Sequence, residues 1–274
     1  MFAIRRLLPL LALAFALAGG SAALASPTTC PRSYLDGVAP DIADPALASP
    51  GREFCYTIFA VSYSTTLRNP LWSAEHLTKA IAMGGDHMGR KDRFHRETLL
   101  TRDQQATYDE ISGPEYDSGH MTPSDDAPDM DAQYETFVMT NMVAQRAALN
   151  RRLWQYLEAS LNRLAELEGD IYIITGPVFR ADPPVIAGRI AVPTYTFKAV
   201  YVPRTGVAIG YLATNTTTPT CKVVSIAELT QLSGIDPFPS LPASVKAAHP
   251  TLQLPRGVRY PNGRPARVAL PNCG

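Results

Sequence analysis

Apolar residues recur at helical spacing over one long stretch of the chain. In RAALNRRLWQYLEASLNRLAELE, Leu149, Leu153, Leu157, Leu161 and Leu164 fall on one face and Gly169 supplies a stop; the helical signal reaches back to Tyr134, predicting helix over 134–168. A shorter helix is expected in VSIAELTQLSGIDPF, capped near Ser225 and ended at Gly234. Alternation of apolar and polar positions predicts a half-buried strand in FCYTIFAVSYS from Phe54. DIYIITGPVF, TYTFKAVYVP and GVAIGYLATN read as further strands, the last two joined by a turn at Arg204-Thr205-Gly206. LWSAEHLTKAIAM fits a short helix or a strand extension. The mixture argues for one α+β domain.

Three stretches lack such a pattern. Residues 26–52, rich in Pro, Ala and Asp, read as an irregular lead-in, and the Pro-rich tail from His249 reads as loop. GGDHMGRKDRFHRE, from Gly84 to Glu97, is glycine-rich and locally basic, a composition that suits a phosphate cradle and equally an exposed turn. The chain opens with Arg5 and Arg6 before an apolar run from Leu7 to Ala18, and Ala23-Leu24-Ala25 offers a small-x-small cleavage site. That run is shorter than the roughly 20 residues of a membrane span, so residues 1–25 read as a signal peptide. The expected division is leader 1–25, lead-in 26–52 and one domain over 53–274. The expected address is secreted or periplasmic, with no membrane contact in the mature form.

Charge changes the picture by exclusion. The leader takes two of the 25 basic residues and none of the 25 acidic ones, so the mature chain is close to neutral. Any polyanion site must then be a local cluster of arginines and lysines. Four cysteines in an exported chain point to two disulfides. Of the three connectivities, Cys30 with Cys55 and Cys221 with Cys273 is favoured, because each would tie a terminal segment to the body. No CxxC pair is present to suggest a zinc knuckle.

YDSGHMTPSDD, from Tyr116 to Asp126, sets His120 between a glycine and a methionine with acids on both sides. Asn150 and Glu158 on the following helix would lie roughly 80° apart in ideal α-geometry and about 12 Å along the axis, so both can look toward one site. They are too far apart to be neighbouring inner-sphere ligands, which suits a hydrated hard cation such as Mg²⁺, held by Asn150 directly and by Glu158 through water. A neutral amide oxygen leaves the cation's charge for a phosphate, and a neutral His120 can take a proton from water. Taken singly, each residue has a plainer reading: a helix cap for Asn150, a solvated acid for Glu158, a packed imidazole for His120.

The ordered blocks add to this. YDSGHMTPSDD, ETFVMTNMVAQ and LNRRLWQYLE resemble the DRGH signature, the TF…TN…PQ segment and the N…W…LE helix of the DNA/RNA non-specific endonuclease family. These are the ββα-metal or His-Me finger nucleases of the Serratia nuclease and endonuclease G type. RKDRF, IYIITGPVF, VPTYTFKAV and SIAELTQLSGIDPF resemble further family blocks. The resemblance implies a central, mainly antiparallel sheet flanked by helices, and hydrolysis of phosphodiester bonds in DNA and RNA. It implies Mg²⁺, with Mn²⁺ able to substitute. It implies a catalytic set of His120 as base, Glu158, Asp117 and Arg90, with Asn150 as the direct metal ligand. Arg90, Arg93, Ser118, Asn141, Gln145 and Arg163 would form the substrate-binding set, Asn141 and Gln145 as supporting amides. The sequence names no inhibitor protein.

Three positions depart from the family pattern. The signature's arginine is Ser118, the arginine one turn after the glutamate is Asn162 with Arg163 beside it, and the proline before Gln145 is Ala144. A hydroxyl cannot replace a fixed guanidinium. A second reading therefore stays open: a nuclease-like nucleic-acid binder with weakened or lost catalysis, or a phosphodiesterase of narrower substrate.

Overall fold

A computed structural model describes residues 28–47, 51–85, 88–255 and 273. The leader, most of the tail beyond residue 255 and His87 lie outside the described residues. In chain order the first elements are β1 (Asp41–Ile42), β2 (Gly51–Cys55), β3 (Phe59–Ser64), β4 (Asn69–Thr78), α1 (Lys79–Gly84) and α2 (Tyr108–Ile111). β5 (Tyr116–His120), α3 (Met130–Thr136), β6 (Met142–Arg146), a π-helical turn (Leu149–Trp154) and α4 (Gln155–Glu168) follow. The remainder is β7 (Asp170–Val178), β8 (Val185–Ile186), β9 (Ile190–Ala191), β10 (Tyr195–Val202), β11 (Val207–Thr214), β12 (Cys221–Val224), α5 (Ile226–Ser233), β13 (Ile235–Asp236) and α6 (Ala243–Ala247).

Seven of these strands form one sheet in the order β12-β11-β10-β7-β4-β3-β2, with every neighbouring pair antiparallel. Both faces of its central strands are covered, and side-chain alternation assigns residues to each face. Ile174, Phe197, Ala199 and Leu212 pack with Ile226 and Leu229 of α5. Ile171, Ile173, Val200, Val202 and Ile209 pack with Leu149, Leu153, Trp154, Leu157, Leu161 and Leu164 on the other face. α4 thus lays its leucine stripe on the sheet. Gln155, Glu158, Asn162 and Glu166, at spacings of three and four, face a cavity instead.

Local expectations held where local chemistry governs. Ser225 caps α5 in a reciprocal capping box with Glu228, and Gly234 ends it in the left-handed conformation at φ 72°. The turn after β10 places Gly206 at φ 68°. Both disulfides form, Cys30 with Cys55 and Cys221 with Cys273. The stretch left open at LWSAEHLTKAIAM is strand to Thr78, whose side chain then caps α1.

Other expectations are corrected. The helix over 134–168 is interrupted: Met142–Arg146 is a strand, paired antiparallel with β5 so that His120 faces Met142 and Asp117 faces Gln145. β5 needs a hydrogen-bonding partner, and that tertiary demand overrides helical propensity. FCYTIFAVSYS is two strands, not one, because the chain turns back between Cys55 and Phe59. The lead-in is less irregular than its composition suggests, with three 3₁₀ turns, β1 and the start of β2. No helix among the described residues is long and apolar enough to cross a membrane.

Candidate active site

Two short strands and the following helix build the site. β5 and β6 form a ribbon, and the chain enters α4 through the π-helical turn that carries Asn150. Such turns are rare and recur at functional sites. The angular relation that ideal α-geometry gives Asn150 and Glu158 does not apply, since the first half of the interval is π-helical. Both residues nevertheless line the same cavity of about 1160 Å³, together with Asp117, Ser118, His120 and Arg90.

Gly119 explains the close packing beneath His120. A Cβ at this position would lie 2.7 Å from Gln145 Cβ and closer still to its amide oxygen. Gln145 is fully buried, so it has little room to withdraw. Gly119→Ala is therefore expected to destabilise the protein by about 1–3 kcal/mol and to tilt His120. A midpoint in urea unchanged from the parent would refute the account.

His120 is 8% exposed, and its Nε2 is buried with no hydrogen-bond partner. Phe137 meets its ring edge-on at 4.8 Å, and Phe94 lies at 6.0 Å. Burial, followed by the charges of Arg90 and Lys198, holds the imidazole well below its ordinary 6.5. The ring is thus neutral near pH 7, the form a base requires. Arg90 lies over the Phe137 ring at 5.2 Å and donates to Asp92 and Ser124. Of the two candidate arginines in RKDRF, Arg90 lines the cavity and Arg93 is not among its lining residues.

Asp117 organises the part of the cavity around Asn150. Its carboxylate accepts Asn150 Nδ2 at 3.0 Å and two N–H groups of Arg151, at 2.9 and 2.7 Å. Burial alone would raise its pKa, but the hydrogen bonds from Arg151 and Asn150 outweigh that and hold it below the ordinary value. Since Asn150 spends its amide N–H on Asp117, its side-chain oxygen is the acceptor left for a ligand.

Glu158 rests against the buried Lys198, at 3.6 Å, in a pocket shared with Asp126 and Glu75. Burial raises its pKa to about 8 despite the lysine, and raises Asp126 to about 6. Asn162 donates to Asp126 at 2.7 Å. A carboxyl with a raised pKa binds more protons folded than unfolded, so its contribution to stability is greatest below the ordinary 4.5 and falls as pH rises toward 8. In chelator, the melting temperature is expected to drop across that window, by about 2–4 °C per kcal/mol lost. Glu158→Gln should flatten the decline; an equally steep decline in that variant would refute the assignment.

Asn141 and Gln145, counted among the substrate-binding residues from sequence, are fully buried and lie away from the cavity wall. Asn141 donates to Thr122 and Thr136 carbonyls and accepts from Thr122 N–H, bracing the segment after His120. Gln145 packs against Gly119, and its Nε2 donates to Thr196 Oγ1 at 3.5 Å. Ser118 Oγ lies 2.9 Å from Ser112 Oγ, and Arg163 pairs with Glu166. Trp154 is fully buried. His76, His95 and His249 are engaged elsewhere, with Asp170, Tyr134 and Glu228 respectively.

Sequence reading missed Lys198, Asp126 and Arg151. Lys198 had a signal: it is in phase with Val200 and Val202 on a strand, an inward lysine that demands partners. It donates to Met121 O and Thr175 Oγ1.

A sequence profile of DNA/RNA non-specific endonucleases matches residues 39–244. The chain belongs to that family. It is 30% identical to Nuclease C1 of Cunninghamella echinulata var. echinulata over 210 residues, covering 68% of this chain and 82% of that protein. Human mitochondrial nuclease EXOG is 28% identical over 210 residues, covering 68% of this chain and 57% of that protein. A nuclease of Syncephalastrum racemosum is 34% identical over 124 residues, covering 44% of this chain and 39% of that protein. Endonuclease G in complex with its inhibitor EndoGI has the same fold, with a TM-score of 0.64 at 23% identity over 72% of this chain and 90% of that one. The α+β fold with its antiparallel sheet is therefore that of the endonuclease family, and the protein is a DNA/RNA non-specific endonuclease.

The donor set suits a hard divalent cation. It offers an amide oxygen on Asn150 and the carboxyl group of Glu158, with no cysteine among the lining residues. Among the described residues the only tight trio of His, Cys, Asp or Glu ligand atoms is Cys30, Glu53 and Cys55, where both cysteines are in a disulfide.

Proposed function

We propose that this endonuclease is exported and Mg²⁺-dependent, with Mn²⁺ able to substitute. His120 is its general base, Asn150 its direct metal ligand and Glu158 a ligand through water. The observation that supports this best is the presence, in one cavity, of a buried imidazole held in its neutral form and an amide oxygen left free by Asp117. Bound there, Mg²⁺ supplies positive charge to the scissile phosphate and its leaving oxygen. His120 takes the proton of the attacking water. Asp117 fixes the rotamer of Asn150, and Arg90, pinned by Asp92 and Ser124, presents its remaining N–H groups to a phosphate. Contacts confined to the backbone account for weak sequence discrimination.

Export is supported by the leader's composition and by two disulfides, which persist in oxidising compartments. Mass measurement of the protein recovered outside the cytoplasm should begin the chain near Ser26. Incubation of purified protein with plasmid DNA and with RNA tests the chemistry. Cleavage of both in Mg²⁺, ended by EDTA, is expected. Undiminished cutting in EDTA would sink the metal assignment, and nucleic-acid binding without cutting in any divalent metal would favour the binder reading.

A further inference from the structure

Three arginines stand on the cavity wall, each beside a carboxylate: Arg90 with Asp92, Arg151 with Asp117 and Arg163 with Glu166. They differ in what each leaves free. Arg90 divides its donors between Asp92 and Ser124. Arg163 pairs with Glu166, an acid one turn along its own helix, through Nη1. Arg151 meets Asp117 side-on, through Nε to Oδ2 at 2.9 Å and Nη2 to Oδ1 at 2.7 Å. A guanidinium has five N–H donors in a rigid plane, so this contact spends two and leaves the edge made by Nη1 and the outer Nη2 hydrogen. The Arg151 side chain is 70% exposed while Asp117 is only 16% exposed. The anchor is therefore largely buried and the free edge is wet.

The same Asp117 carboxylate holds Asn150. Arg151 is thus set in register with the residue proposed to bind metal, one position away in sequence and joined through one acid. It also lies beside a deficit. Ser118, next to Asp117, offers the cavity only a hydroxyl, already within 2.9 Å of Ser112 Oγ. Asn162, also on the cavity lining, is uncharged and committed to Asp126. The wall that must receive a polyanion keeps a fixed, fork-shaped cation there because Arg151 reaches it from the π-helical turn.

We propose that Arg151 is a phosphate-binding residue of this endonuclease, gripping non-bridging oxygens of the nucleic-acid backbone with its free edge. The inference rests on the reading of the cavity as the nucleic-acid site. Asp117 then has two tasks, orienting Asn150 and aiming Arg151, so metal placement and phosphate placement share one anchor.

The test uses the full chain carrying His120→Ala, so that a labelled short DNA duplex can be titrated in Mg²⁺ by fluorescence anisotropy at several salt concentrations. Adding Arg151→Gln is expected to weaken binding about tenfold and to make the slope of log affinity against log salt shallower by about one. Arg151→Lys should keep the slope and recover part of the affinity, since it retains charge and loses the fork. In the His120 parent, Arg151→Gln should raise KM for DNA more than it lowers kcat. If Arg151 only braces Asp117, Arg151→Gln will lower kcat and raise the Mg²⁺ requirement with the salt slope unchanged, and that result overturns the inference alone. Absence of any duplex binding by the His120→Ala chain overturns both this inference and the functional reading beneath it.

Discussion

Replacing His120 with alanine is expected to lower phosphodiester hydrolysis by about 10²- to 10⁴-fold while leaving the fold intact. The size follows from its role. A general base removes the proton of the attacking water in the transition state, and Asp117, the carboxylate that holds Asn150, is already spent on Asn150 and Arg151. The imidazole itself is buried among Phe94, Phe137 and the positive charges of Arg90 and Lys198, all of which disfavour its protonated form. The acid limb of the kcat/KM profile should therefore fall below the ordinary histidine value of 6.5. Arg90→Gln removes one of those charges, so the limb should move upward in that variant, toward 6.5. Circular dichroism of His120→Ala guards against misfolding. Activity within tenfold of the parent in a folded His120→Ala protein would remove His120 from the mechanism.

The second large effect is expected at Asn150. Asn150→Ala deletes the amide oxygen left free on the cavity wall and, with it, the hydrogen bond that Asp117 receives. Losing a residue that only supports a ligand costs about 10–100-fold in metal affinity or activity, so losing the ligand itself should cost at least that much. The Mg²⁺ concentration for half-maximal cleavage is expected to rise by more than about tenfold, with kcat lowered at saturation. Asp117→Asn should show a milder form of the same defect, since it frees the Asn150 rotamer without removing its oxygen. Both variants can be checked by titrating Mg²⁺ against plasmid cleavage and, independently of turnover, by Mn²⁺ binding followed by electron paramagnetic resonance. An Asn150→Ala protein with the parent's metal requirement would contradict the ligand assignment.

How much of the site was visible beforehand depends on the kind of contact. His120, Asn150 and Glu158 stood out because each belongs to an ordered block, and all three line one cavity. The supporting amides were visible as residue types but not as to where they point. Burial turns Asn141 into a brace for Thr122 and Thr136 rather than a group that meets substrate. Nothing local in RKDRF separates Arg90 from Arg93; the position of Phe137, more than forty residues later, does. Arg151 was invisible because its partner lies 34 residues earlier, across the β5–β6 ribbon.

From sequence alone came the elements whose causes are local. The leucine stripe of α4, the cap at Ser225 with Gly234 beyond the helix, and the short strand-forming runs of β7, β10 and β11 each arise from residues a few positions apart, acting through backbone geometry that any chain context shares. Only the tertiary structure decided that Met142–Arg146 is a strand, that Leu149–Trp154 is a π-turn, and that Glu75, Asp126, Glu158 and Lys198 share one buried pocket. These outcomes depend on unpaired strand edges and buried charges finding partners far away in the chain. Their cost is set by desolvation across the whole fold, which no window of neighbouring residues contains.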